Sequence, residues 1–328
     1  MKKLIYLYSK IAAVLICLVL LLSLLTPVFV PKYGDTFGTT VVMDGFYELE
    51  DNSIDVLFLG SSQIMTAISP VQIYEKTGIS SYNLGTEQQN MVLSYYLLKE
   101  ALRFQTPQIV FLDVFFLFPY NDNPSPLNSS EEFVRKPIDY MKWSANKWET
   151  IRTICSLDTG HDMKNYLFPF LRFHSRWNDL TLEDFTYLLK DKTNPLLGFS
   201  VTEEKEPQDF QGFEPEDPSL TEELPDTMEL YFKKIVSLCQ EKNITLVLIK
   251  TPRGDGSFEE IRHNTVAKLA EENELVFIDF NERSLLEEIG FDPENDYMDF
   301  SHINCYGAEK LTDYLACYLS KIHPKKNQ

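Results

Sequence analysis

Cysteine is scarce in this sequence. The 328 residues include only Cys17, Cys155, Cys239, Cys305 and Cys317, with no CxxC pair among them. That spacing excludes a zinc-ribbon pattern and a dense disulfide framework, while leaving both buried thiols and one or two bridges open. Histidine is as rare. His161, His174, His263 and His323 have no partners at metal-ligand spacing and read as structural or surface residues, so neither a metal nor any other cofactor is expected. Positive charge is also short: 30 Lys and Arg stand against 49 Asp and Glu, giving a net charge of −19. A surface of that sign argues against a nucleic-acid partner and against lying flat on anionic lipid. There is no internal repeat. Beyond the first 30 residues no apolar run approaches the 18 needed for a second membrane span.

The one long apolar run lies at the N-terminus. Residues 1–10 carry Lys2, Lys3 and Lys10 and no acid, and residues 11–30 then run without a charge. At ~1.5 Å per helical residue, that run covers about the 30 Å of a bilayer core. The lysines before it place residues 1–10 in the cytoplasm and the remainder outside. A cleaved signal peptide is the competing reading. The run ends in Thr26-Pro27-Val28-Phe29-Val30-Pro31, which lacks a small-x-small cleavage site and favours a retained anchor. Residues 31–51 read as a polar juxtamembrane tether. The rest, 52–328, is long enough for one large domain with an insertion.

Within that domain, apolar strands alternate with helices. Ser53–Leu59, Ser80–Leu84, Gln108–Val114, Ile244–Ile249 and Leu275–Asp279 read as strands. Helices are expected over 64–78, 87–104, 227–242, 257–273 and 305–322. Continuous apolar strands separated by helices predict an α/β doubly wound, flavodoxin-like five-stranded parallel sheet covered on both faces. The stretch 115–226 interrupts the alternation as an insertion with helical, aromatic-rich character. Its final part, 201–226, holds ten acids against Lys205 alone and reads as a solvated, partly disordered loop.

Two separated stretches carry chemistry. Gly60-Ser61-Ser62 is a small-residue turn between the first strand and a helix. It places a hydroxyl at the carboxyl end of the sheet beside helix N-terminal amides. On its own it also reads as a helix cap. Asp299 and His302 lie between the last strand and the last helix, on the same sheet edge. Their three-residue spacing lets a carboxylate hold one imidazole nitrogen while the other faces a serine. Arg253, after the fourth strand, falls on that edge as well. The aromatics of the insertion read as a glycan groove or as that segment's core.

Phe58-Leu59-Gly60-Ser61-Ser62-Gln63, Asn83-Leu84-Gly85 and Asp299-Phe300-Ser301-His302 resemble, in order, the first, second and last blocks of the SGNH (GDSL-like) hydrolases. The resemblance spans 55–319 apart from the insertion. It implies Ser62 as nucleophile, with Ser61 the alternative, His302 as general base and Asp299 as its orienting acid. It also implies Gly85 as an oxyanion donor. The family's Gly-x-Asn-Asp block is missing: the corresponding strand ends Leu112-Asp113-Val114. A carboxylate would repel an oxyanion, so Asp113 is not expected to replace that asparagine; either the inserted segment supplies the third donor or another group does, with Gln63 and Asn83 as candidates. The chain is similar to membrane-anchored members that acylate cell-envelope polymers, such as the D-alanine transfer protein of teichoic-acid modification and the alginate O-acetylation proteins. The resemblance thus implies a membrane-anchored O-acyltransferase or esterase acting on extracellular polysaccharide or teichoic acid, with a membrane-bound O-acyltransferase as partner. The alternative is an inactive SGNH-fold module that binds envelope polymer.

Overall fold

The computed structural model describes residues 2–32, 38–119, 124–215, 217–256 and 259–323. The chain divides into two compact units, one of residues 1–32 with 159–191 and the other of residues 33–158 with 192–328.

The larger unit is built on five parallel strands: β1 (Val56–Leu59), β2 (Ser81–Asn83), β3 (Ile109–Asp113), β4 (Thr245–Lys250) and β5 (Val276–Asp279). Their order is β2-β1-β3-β4-β5, with every pairing parallel. This is the flavodoxin-like order, in which the chain reverses direction across the sheet between β1 and β3. The three central strands are buried along nearly their whole length, which explains their unbroken apolar sequences. Phe58 of β1 stacks on Phe111 of β3 at 5.0 Å. The closing helix Cys305–Ile322 lays Leu311, Leu315 and Leu319 into the same core.

Several boundaries differ from the sequence reading. The single helix expected over 64–78 is two, Ser62–Ala67 and Pro70–Thr77. Pro70 has no amide to continue the first, and Ser69 caps the second by accepting from the Gln72 amide. The helix expected over 87–104 is Met91–Ala101, started by Asn90, whose side chain accepts from the Leu93 amide. Within the stretch read as a polar tether, Thr39–Tyr47 is a helix that buries Val42, Met43 and Phe46. Those three share one helical face, a signal hidden by the polar residues around it. The acidic stretch is irregular but pinned. Amides of Glu206, Gln208 and Phe213 donate to the carbonyls of Tyr297, Pro293 and Asn281, and Cys305 donates to Thr202. Backbone bonds to segments distant along the chain hold it, which side-chain charge does not report. None of the five cysteines is joined in a disulfide.

The smaller unit consists of the apolar helix Lys2–Phe29 and the short helices Met163–Leu167, Pro169–Phe173 and Leu182–Thr186. The span Lys3–Phe29 holds an 18-residue window with a mean hydropathy of 2.8 and no burial, and is long and apolar enough to cross a membrane.

Candidate active site

Gly60 ends β1 in a close approach to β3. A Cβ there would lie 2.3 Å from the Asp113 Cβ, so only glycine lets the turn pass the neighbouring strand end. The next residue, Ser61, is fully buried and extended. Its amide and hydroxyl both donate to Asp113 Oδ2, at 3.1 and 2.8 Å, while its Oγ accepts from the Gln63 amide. Asp113 Oδ1 accepts the Phe115 amide at 2.9 Å. Ser61 is thus both the helix cap and the anchor of the turn. Ser62, one step on, occupies the first helical position, where the amide has no intrahelical acceptor and the side chain projects from the sheet edge.

The last loop comes to the same edge. Tyr297 and Ile303 pair as an antiparallel bridge, making 298–302 a tight loop. Asn304, fully buried, holds its base by donating to the carbonyls of Glu204, Asn295 and Tyr297, and caps the closing helix through the Tyr306 and Gly307 amides. Asp299 Oδ1 accepts the amides of Ser301 and His302, at 2.7 and 2.9 Å. His302 Nδ1 lies 2.9 Å from Asp299 Oδ2, and His302 Nε2 lies 2.8 Å from Ser62 Oγ. Because the carboxylate only accepts, Nδ1 carries the ring proton and Nε2 is left to accept from the serine hydroxyl. Burial pushes the Asp299 carboxyl up, but the hydrogen bond and charge of His302 and the two amides outweigh it and hold it below the usual carboxylate range. Asp113 goes the other way: its burial outweighs the Phe115 and Ser61 donors and Lys250, and raises its carboxyl.

A cavity of about 140 Å³ opens in front of Ser62 and His302, walled by Phe115, Phe116 and Phe133. Gln63 and Arg253 line it too. Gln63 Oε1 accepts from Thr251 at 3.3 Å, and its amide nitrogen has no partner among the described residues. Arg253 is 4% exposed. Its Nε and Nη2 bind Asp255, its backbone amide donates to Asn281, and its guanidinium sits 4.4 Å over the Phe115 ring. Its Nη1 is buried without a partner among the described residues.

The other expected site residues are placed differently. Asn83 Nδ2 donates to the carbonyls of Ile64 and Ile68 that end the helix after Ser62, and its Oδ1 accepts the Gly85 amide at 3.2 Å. The Asn83 side chain is therefore engaged in structural bonds at both of its polar atoms. Gly85 lies beside the turn, its virtual Cβ 3.0 Å from the Ser61 carbonyl, but its amide is engaged by Asn83. His263 is bonded to Asp279 at 3.0 Å and packs between Phe213 and Phe277. Among the described residues no cluster of His, Cys, Asp and Glu is suited to hold a metal.

Sequence reasoning missed the anchoring role of Asp113 and the clamp on Arg253. The available signal was positional: Asp113 and Lys250 are polar residues ending otherwise apolar central strands, at the edge where the turn emerges.

No family model matches this chain, and no curated protein matches it. Among solved structures, a lipolytic protein of the G-D-S-L family from Desulfitobacterium hafniense is similar at 12% identity, with 80% of this chain and 97% of that one covered and a TM-score of 0.38. An acetyl xylan esterase is similar at 13% identity, over 81% of this chain and 100% of that one, with a TM-score of 0.41. An acetylxylan esterase from Geobacillus stearothermophilus is similar at 12% identity, over 84% and 96%, with a TM-score of 0.39. No activity or substrate is carried over from likeness at this level.

Proposed function

We propose that this chain is a serine esterase or O-acyltransferase, held at a membrane by its N-terminal helix, that works on acyl esters of an extracellular polysaccharide or teichoic-acid-type polymer. The observation that carries the reading is the continuous hydrogen-bond chain from Ser62 through His302 to Asp299 at the mouth of a cavity. A serine 2.8 Å from a carboxylate-oriented imidazole is the arrangement nucleophilic acyl transfer requires.

In the first half-reaction Ser62 Oγ attacks the ester carbonyl while its proton passes to His302 Nε2. Asp299 stabilises the imidazolium and holds its tautomer. The tetrahedral oxyanion collapses, the sugar alkoxide leaves and takes the proton from His302, and the acyl group remains on Ser62. In the second half water or another hydroxyl repeats the sequence in reverse: esterase in the first case, transferase in the second. The Ser62 amide and the Gln63 side-chain amide are the oxyanion donors this geometry favours. Such donors are each worth about 10² to 10³ in rate. The Gly85 amide joins them on exchanging Asn83 Oδ1 for the oxyanion. Arg253 Nη1 has no acceptor among the described residues, and a substrate oxygen would supply one. The cavity's size suits a short acyl group, being well below the ~300 Å³ of a drug-sized pocket.

The second reading is an inactive module that binds envelope polymer. It is favoured by the engagement of the Gly85 amide with Asn83. The test is full-length protein in detergent, assayed on a chromogenic acetyl ester and with a serine-directed fluorophosphonate. Labelling at Ser62 that is lost in Ser62→Ala and His302→Ala is the expected result. Folded protein that neither labels nor hydrolyses the ester refutes the enzyme and leaves the binding module.

A further inference from the structure

The smaller unit exposes an unusual amount of apolar surface outside its long helix. Leu171 is 53% exposed, Trp177 67%, Leu182 78%, Phe185 58%, Leu188 54% and Leu189 86%. Scattered exposed leucines need no explanation, but this many in about twenty residues do. The short helices that carry them pack on one end of the apolar helix Lys2–Phe29, the end away from Lys2, Lys3 and Lys10. Phe170 meets Phe29 edge-on at 4.9 Å. Arg176 Nη1 donates to the Phe29 carbonyl at 2.6 Å, and Lys32 donates to the carbonyls of Pro27 and Val30, each at 2.5 Å. Asp184 bridges the two cations, 3.3 Å from Arg176 and 3.4 Å from Lys32.

These contacts solve a problem specific to a helix leaving a bilayer. Its last carbonyls have no intrahelical donor, and an unpaired carbonyl in hydrocarbon costs several kcal/mol. Arg176 and Lys32 are the donors, and both are cations at a helix C-terminus, where the dipole favours them.

We propose that residues 163–190 form a collar that lies in the membrane interface around the exit of the helix, with the exposed leucines and aromatics in the acyl-chain boundary. This rests on the helix being retained as an anchor. Residues 163–190 hold Lys164, Arg172, Arg176 and Lys190 against Asp179, Glu183 and Asp184, so the stretch is slightly basic within a chain of net charge −19. The acidity of the whole chain argues against contact with anionic lipid, but this local balance removes that repulsion at the collar. Trp177 and its aromatic neighbours are the residue types that settle at headgroup level.

The test uses full-length protein carrying Trp143→Phe and Trp148→Phe, which leaves Trp177 as its single tryptophan. It is reconstituted in vesicles of phosphatidylcholine and phosphatidylglycerol, with or without lipids brominated on the upper acyl-chain carbons. The expected result is a loss of about half or more of the Trp177 emission with brominated lipid, as for a ring at headgroup depth. The same loss is expected to shrink in a Leu182→Glu, Leu189→Glu variant that still resists carbonate extraction. Emission quenched by aqueous acrylamide and untouched by brominated lipid, in carbonate-resistant protein, overturns the proposal: the collar then faces water. Protection from both quenchers, with crosslinking of the collar to a second polypeptide, overturns it in favour of a protein partner. Release by carbonate overturns the anchor and the collar together.

Discussion

Asp299→Asn is the substitution that most directly tests the proposed chemistry, because the amide keeps the shape and removes the charge. In the wild type the carboxylate lies 2.9 Å from His302 Nδ1. Two unit charges at that distance interact by about 6 kcal/mol at an effective dielectric of ~20. The Asp299 side chain is 29% exposed, so water screens part of that. Halving the figure to about 3 kcal/mol leaves roughly 10² in rate, at ~1.4 kcal/mol per decade. A wrong tautomer adds to the loss, because an asparagine Nδ2 turned to Nδ1 takes the ring proton off the face that must hold it; a buried triad of this type loses ~10⁴. The expected fall in kcat/KM is therefore about 10² to 10⁴, measured on a chromogenic acetyl ester with active-site titration. Stability supplies a second readout. Since the Asp299 carboxyl is held below its ordinary value, the stability it contributes is present above the unfolded-state pKa of ~4 and is lost as pH falls through the folded value. The thermal-stability gap between wild type and Asp299→Asn is thus expected at neutral pH and closes in acid. An Asp299→Asn enzyme within threefold of wild-type kcat/KM, under conditions where Ser62→Ala is inactive, refutes the assigned role of Asp299.

The remaining predictions concern the scaffold of the turn. Asp113 has the opposite linkage: its raised carboxyl favours the native state below the unfolded pKa, and that contribution is lost as pH rises through the folded value. The stability of wild type relative to Asp113→Asn should therefore fall from about pH 4 toward neutrality, and a gap that widens instead, by differential scanning calorimetry, is evidence against a buried, strained carboxylate. Ser61→Ala removes one hydroxyl bond to Asp113 and the cap on Gln63; about 1 kcal/mol of stability and roughly tenfold in kcat/KM should be lost, with fluorophosphonate labelling of Ser62 retained. If labelling moves or vanishes in that variant, Ser61 rather than Ser62 is the nucleophile. Gly198 has a φ of +91°, and a Cβ there would fall 1.8 Å from the Asn83 carbonyl oxygen. Gly198→Ala should therefore cost about 3 kcal/mol or more, seen as a Tm fall of several degrees, and an unchanged Tm would show that this segment does not pack against β2 as described.

Much of the fold is legible in the sequence because burial on both faces of a parallel sheet demands unbroken apolar strands, and five of them alternate with helices. The closing helix 305–322 is read to the residue, since Asn304 and the leucine stripe mark it locally. The differences have two causes. Pro70 and Asn90 start helices by local chemistry that overrides a longer apolar periodicity, and the helix at Thr39–Tyr47 is stabilised by burial of one short face.

The site divides in the same way. Sequence by itself determined the residues on which the proposed chemistry rests: a serine pair after the first strand, Asp299 and His302 three apart before the last helix, and a net acidic chain with one membrane-length apolar run. Only the tertiary structure sets the two serines apart: Asp113, 52 residues away, takes the Ser61 hydroxyl, and His302 faces that of Ser62. It also bonded the Asn83 side chain to the Ile64 and Ile68 carbonyls, placed Arg253 at the cavity, and joined 163–190 to the end of the N-terminal helix. These are contacts between segments distant along the chain. Their geometry follows from how strands and helices stack, and no local pattern of residues encodes it.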